Sequence, residues 1–197
     1  MPKIVDHQER KERIAEAVVQ VIARVGFDRL TMRELAAELG YAHGAVVRYF
    51  PNKQTLLTAS FLHLYNQADE RIRRVVEGRR GFDALEAMCR EILPFGESGR
   101  MAAQVVLPFW VRASQDDEIL AVHFENNNRW RDLMRLCLLQ ARDDGAIRED
   151  VDIDIAAAEL AARNAGWQMQ ACLMAEVTSD TVIEAALMRH IECLRKG

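Results

Sequence analysis

Glycine and proline are scarce, 10 and 4 residues in a chain of 197, and no low-complexity or collagen-like repeat is present. A fibrous or largely disordered chain is thereby excluded. Long apolar runs are missing too. The longest stretch free of Asp, Glu, Lys and Arg is fifteen residues, 54–68, and a second of twelve spans 164–175, against the roughly twenty that a membrane span needs. Residues 1–12 are charged throughout and hold no apolar block of the kind found in a secretory signal, so the expected address is the cytoplasm, with no membrane partner. The four cysteines, Cys89, Cys137, Cys172 and Cys193, stand far apart, with no CxxC pair and no histidine at metal-finger spacing. They read as reduced, mostly buried thiols.

Catalytic signatures are absent as well. There is no GxSxG elbow, phosphate loop, GxGxxG turn after a strand or HExxH helix, and His7, His43, His63, His123 and His190 are scattered. His123, with Glu125 and Arg129 close by in sequence, is most simply a solvated or interfacial helix face. The sequence therefore predicts no enzyme, no catalytic residue, no metal site and no cofactor.

What is present points to helices. Half of the residues are apolar and 28% are charged, and the abundance of Ala, Leu, Glu and Arg favours helix. The length suits one or two domains. The net charge of −4 hides a split: residues 1–80 carry 14 basic and 10 acidic side chains, residues 81–197 carry 12 and 20. A basic front on an acidic body suggests a nucleic-acid-facing module carried by a larger unit, the alternative being chance and solvated helix faces.

Apolar spacing predicts helices over 6–25 (Ile14, Val18, Val21, Ile22, Val25, stopped by Gly26), about 32–39, 43–50 and 53–76, then a linker at 78–81. Interruptions at 94–99, 114–117, 143–154 and 178–180 divide the rest into five more helices, with Pro108 expected to bend one of them. No strand-like alternation is seen. The last two helices carry wider apolar faces than one neighbour can cover, the first of them crowded with alanine. An intermolecular bundle through Ala157, Ala161 and Ala165 on one helix and Val182, Ala186, Arg189, His190 and Cys193 on the other is expected, the alternative being burial within one subunit.

Residues 31–53 form the informative unit. Thr31 stands as an N-cap with Glu34 three residues on, Gly40 supplies a tight turn, and a second short helix runs to Phe50 before Pro51 and Asn52 break it. This is helix-turn-helix geometry, although any helical hairpin with a glycine turn matches part of it. Thr31, Tyr49 and Lys53 can each reach a phosphate.

The stretch Gly26-Phe27-Asp28-Arg29-Leu30-Thr31-Met32-Arg33-Glu34-Leu35-Ala36, followed by Leu39-Gly40-Tyr41-Ala42-His43-Gly44-Ala45-Val46-Val47-Arg48-Tyr49-Phe50-Pro51-Asn52-Lys53-Gln54-Thr55-Leu56-Leu57, resembles the TetR family of one-component bacterial transcription regulators. The resemblance is close over residues 10–60. Further on, Phe109-Trp110-Val111-Arg112, Trp130 and Gly145-Ala146-Ile147-Arg148 loosely resemble its BetI-like branch. The resemblance implies that His43, Gly44, Ala45, Val47 and Arg48 face bases in the major groove while Thr31, Tyr49 and Lys53 hold phosphates. Two departures bear on affinity and operator preference. Ala42 replaces the usual Ser or Thr cap, and Val47 replaces a frequent Tyr, leaving a group suited to a thymine methyl. Arg48 can pair with guanine, or contact phosphate alone.

The resemblance also implies an inducer pocket in the rear helices, for which Phe109, Trp110, Trp130, Asn164, Trp167, Gln168 and Met169 are candidates, ordinary core being the alternative. Were the ligand a quaternary ammonium such as choline, the indoles could cage it. The expectation is an all-α protein of about nine helices, with a helix-turn-helix domain at 1–52, a connecting helix at 53–77 and a ligand-binding and dimerisation domain at 78–197. It would act as a homodimeric regulator, a repressor on a palindromic operator in duplex DNA, released by a small-molecule inducer. The other class is a helical protein-protein interaction module without sequence-specific DNA binding.

Overall fold

The front of the molecule is set by two helix caps and a glycine. In the computed structural model, which describes residues 3–27 and 31–197, helix α1 (Lys3–Val25) leads into α2 (Met32–Glu38) and α3 (His43–Val47). Asp28, Arg29 and Leu30 of the resemblance lie outside the described residues. Thr31 caps α2: its hydroxyl accepts the Glu34 N–H at 3.2 Å, and the Glu34 carboxylate accepts the Thr31 N–H at 2.8 Å. That reciprocal box satisfies two orphan donors, and the bond from the Thr31 backbone holds the Glu34 carboxyl below its ordinary range. Gly40 takes φ +68°, the left-handed geometry the turn needs. Ala42 precedes α3 and gives no side-chain cap. The break expected at Pro51 and Asn52 is also a cap: Asn52 Oδ1 accepts the Thr55 N–H at 2.8 Å and starts α4 (Lys53–Val76).

Behind it come α5 (Gly81–Ile92), α6 (Gly96–Ala113), α7 (Asp117–Asp143), α8 (Ile153–Leu173) and α9 (Asp180–Leu194), with no strand among the described residues. Gly81 belongs to α5, so the linker is one residue earlier than its expected place. Helix α6 starts inside the interruption expected at 94–99. It can do so because Gly99 lacks a Cβ, which would come within 2.7 Å of the Pro94 carbonyl carbon. Pro108 lies inside α6, and the helix continues through it.

Two cores hold these elements. The front core joins Ile14, Val18 and Ile22 of α1, Leu35 and Ala36 of α2, Val46 of α3 and Leu56, Leu57 and Phe61 of α4 to Val105 and Phe109 of α6 and Ile119 of α7. The rear core joins Ile72 of α4 to Leu85 and Met88 of α5, Leu138 of α7, Leu160 of α8 and Ile183 and Ile191 of α9. Each of these buried side chains larger than alanine contributes about 1.5–3 kcal/mol. The front core therefore recruits helices from the far half of the chain, and α4 and α7 run through both. Ion pairs stitch the rear: Arg90 to Glu184 between α5 and α9, Arg100 to Asp180 at 2.7 Å between α6 and α9. The chain end is pinned by an antiparallel bridge, Arg148 N–H to the Leu194 carbonyl at 3.0 Å and Lys196 N–H to the Ala146 carbonyl at 2.8 Å.

The four cysteines are free; Cys89 and Cys137 are buried, Cys172 half-buried and Cys193 exposed. Burial pushes the Cys89 thiol up to about 12. No described helix is long and apolar enough to cross a membrane. Replacing Asn52 by Ala removes the α4 cap and is expected to destabilise the protein by about 1 kcal/mol, read as a lower urea midpoint; an unchanged midpoint would show the cap to be dispensable.

Candidate nucleic-acid interface and ligand cavity

Helix α3 is short and asymmetric. Val46, fully buried, and Phe50 just beyond the helix anchor it on the front core, while His43, Gly44, Ala45 and Arg48 are exposed on its other side. Val47, Tyr49 and Lys53 are half-buried and Thr31 is exposed. The Lys53 ammonium lies 4.3 Å from the centroid of the Phe27 ring, and the Tyr49 ring lies 4.5 Å from that of His7 on α1. The eight residues expected to meet DNA thus lie on or beside α2, α3 and the start of α4, which the front core gathers. An apolar inner face holds a polar outer one there, as an element entering a groove requires.

Between the two cores lies a cavity of about 540 Å³ walled by α1, α4, α5, α6, α7 and α8. Its size is that of a drug-sized ligand site. Of the expected pocket residues, Trp110, Trp130, Asn164 and Gln168 line it. Three do not. Phe109 is fully buried in the front core, stacked on Phe61 at 3.7 Å; Trp167 packs against the rear core; Met169 is 41% exposed. The alanines expected at a dimer contact also separate. Ala157 is buried within its own chain, and Ala161 and Ala165 face the cavity. A stripe of small residues on α8 serves close packing and the cavity wall as well as any outer face. Val182, Arg189 and Cys193 are exposed and Ala186 half-buried, while His190 is buried with no partner for its Nε2 among the described residues.

The residues that organise the cavity escaped the periodicity. Tyr65 of α4 donates its hydroxyl to the Asn126 carbonyl of α7 at 2.6 Å and stacks on Trp130 at 4.5 Å and 19°. The Arg129 guanidinium sits 5.3 Å from the Tyr65 ring centroid and bonds Asn126 Oδ1. Burial pushes the Tyr65 phenol up, so it remains a donor. Asn126 Nδ2 bonds the Val122 carbonyl at 2.7 Å. The signal was available, because Asn126-Asn127-Asn128 are three poor helix formers in mid-helix. Charges in the wall are partly paired: Arg71 bonds Glu91 at 2.8 Å, and Arg90 bonds Glu86 and Glu184. His123 is no solvated face. It lies at the cavity between Phe61, Phe109 and Trp110, with Nδ1 unpartnered among the described residues, and burial pushes its pKa down. Among the described residues no group of three or more His, Cys, Asp and Glu could hold a metal ion.

The family model described as bacterial regulatory proteins, tetR family, matches residues 14–59, and that of the BetI-type transcriptional repressor C-terminal domain matches 82–196. The chain is 24% identical over 195 residues to the transcriptional regulator PksA of Bacillus subtilis, covering 98% of this chain and 94% of that one. It is 26% identical over 131 residues to BetI of Stenotrophomonas maltophilia, 66% and 67% of the two chains. A solved regulator from Saccharomonospora viridis in complex with choline superposes with a TM-score of 0.88 at 22% identity, over 96% of this chain and all of that one, which shows the same fold.

Burial pushes the pKa of both His123 and His190 down, so at these two sites the unfolded chain binds more protons than the folded one below about pH 6.5. Stability is expected to be full above that pH and to fall as the pH drops toward 5, above the range where carboxylates titrate. Thermal melts of the protein and of His123→Leu across this window test it. A variant that loses as much stability on acidification as the parent would clear His123 of the effect.

Proposed function

Because the chain belongs to the tetR family of bacterial regulatory proteins and carries a BetI-type repressor C-terminal domain, we propose that it represses transcription as a homodimer on a palindromic operator and is released by a small molecule bound in the cavity. It is a ligand-responsive DNA-binding transcriptional regulator, and regulators of this family bind DNA as dimers and take small-molecule ligands. The observation that carries the proposal is the exposed face of α3, with His43, Gly44, Ala45 and Arg48 outward over buried Val46. In this reading residues 1–52 meet DNA, 53–77 connect, and 78–197 hold ligand and partner.

The roles follow from chemistry. Arg48 reads a guanine edge, Val47 meets a thymine methyl, and Thr31, Tyr49 and Lys53 hold phosphates. The second subunit covers the outer faces of α8 and α9. Met169, Leu173 and Val182 there are 41%, 64% and 45% exposed, a large apolar area for a monomer to leave wet. Two-fold symmetry then demands an inverted repeat. A ligand that favours one spacing of the recognition helices weakens DNA binding, and DNA weakens the ligand by the same factor. Choline is the first compound to titrate, since a structural neighbour binds it and aromatic rings line the wall. Calorimetry without heat at millimolar choline would discard it.

Selection of fragmented genomic DNA on the purified protein at near-physiological salt is expected to enrich an inverted repeat. On that repeat Lys53→Ala should weaken binding to all sequences alike, whereas Arg48→Ala should relax one base position, worth about 1–3 kcal/mol of discrimination. No enrichment even at low salt would move the front module to a protein partner.

A further inference from the structure

A second row of basic side chains borders the recognition helix, on a part of α1 that precedes the matched residues 14–59. The inner face of α1 is apolar from Ile22 and Val18 back to Ile14. Carried on toward the N-terminus by three, four and seven positions, that face becomes Lys11, Arg10 and His7. The core ends there, and each of the three lies against a ring of the helix-turn-helix. His7 meets Tyr49 at 4.5 Å between centroids and 53°, the Arg10 guanidinium carbon lies 5.8 Å from the Tyr41 centroid, and the Lys11 ammonium lies 5.8 Å from that of Phe50.

All three residues remain exposed, so the rings restrain the basic groups without neutralising them. Two acids of the same turns are engaged elsewhere: Glu9 pairs with Arg13 at 2.6 Å, and Glu12 accepts from Gln8 at 2.8 Å. Arg10 and Lys11 form no ion pair among the described residues. Cations already restrained beside α3 lose less side-chain freedom on meeting an anion. Tyr49, whose hydroxyl the DNA reading places on a phosphate, is one of the rings in the row.

We infer that this row is a second phosphate-contacting strip of the DNA interface. Arg10 and Lys11 each meet a backbone phosphate flanking the groove that α3 enters. His7 is a positioning residue: its ring holds Tyr49 in the orientation that delivers the hydroxyl. The strip rests on the DNA-binding reading above and adds α1 to the surface that reading uses. It lends affinity without sequence preference, because phosphates carry no base identity.

Phosphate contacts are legible on DNA of any sequence, so the probe is a fluorescently labelled random-sequence duplex, titrated with the full-length protein by anisotropy over a salt series. The double variant Arg10→Gln, Lys11→Gln keeps both stems. Its slope of log K against log salt is expected to be shallower by about 0.9 for each phosphate that is no longer neutralised. Arg79→Gln with Arg80→Gln, the same charge change in the α4–α5 linker, should keep the parent slope. His7→Ala should weaken binding several-fold with the slope unchanged, and His7→Phe, which restores a ring against Tyr49, should recover most of the affinity. Thermal melts exclude unfolding as the cause. A strip variant with the parent slope overturns the phosphate contacts, and failure of His7→Phe to rescue overturns the positioning role. Failure of the parent protein to bind duplex at low salt would remove the DNA reading itself, and is seen before any variant is made.

Discussion

One hydrogen bond lies where the whole architecture meets: the Tyr65 hydroxyl on the Asn126 carbonyl, 2.6 Å across the gap between α4 and α7. These two helices are buried in both cores, α4 through Leu57 and Ile72, α7 through Ile119 and Leu138. Each is a rod, α4 about 36 Å long at the standard rise. A rod fixed at both ends cannot move at one without moving at the other. The bond and the Tyr65–Trp130 stack set the spacing of the rods at their middle, which is also the wall of the cavity. Leaving such a buried donor without a partner costs about 1–3 kcal/mol, which is the scale of typical allosteric coupling.

The cavity's chemistry follows from the same arrangement. Helices that diverge from two separate cores leave space between them, and the side chains pointing into that space need not fill it. Aromatic rings and amides line it, while Arg71 and Arg90 are held by glutamates. The unpartnered Trp130 Nε1, His123 Nδ1 and Gln168 Oε1 lie along the same wall. Buried polar atoms left without partners are destabilising, and a ligand or ordered water that satisfies them is correspondingly favoured.

The front end illustrates how far local rules reach. The capping box of Thr31 and Glu34, the left-handed Gly40 and the inner positions Leu35 and Val46 are decided within a few residues of one another, and all are legible in the sequence. Asn52 and Thr55 obey the same rule, though the adjacent proline draws attention to the break rather than the cap. In the rear, helix number and order are legible from apolar spacing. What each face meets is not. Phe109, Trp130 and Trp167 look alike in sequence, yet one fills the front core, one lines the cavity and one packs on the rear core.

The alanines of α8 make the division plain. A row of small residues shows that something approaches closely, and Ala157 turns toward the rear core while Ala161 and Ala165 turn toward the cavity. The sequence by itself determined the all-helical class, the helix-turn-helix with its caps and turn, and the basic front, because these depend on backbone propensity and on neighbours one or two turns apart. Tertiary structure alone decided that the front core recruits α6 and α7, that Tyr65 meets Asn126 across 61 positions of chain, and that basic residues of α1 lie on rings of the helix-turn-helix. Those are meetings between helices whose separation in space no period along one chain encodes.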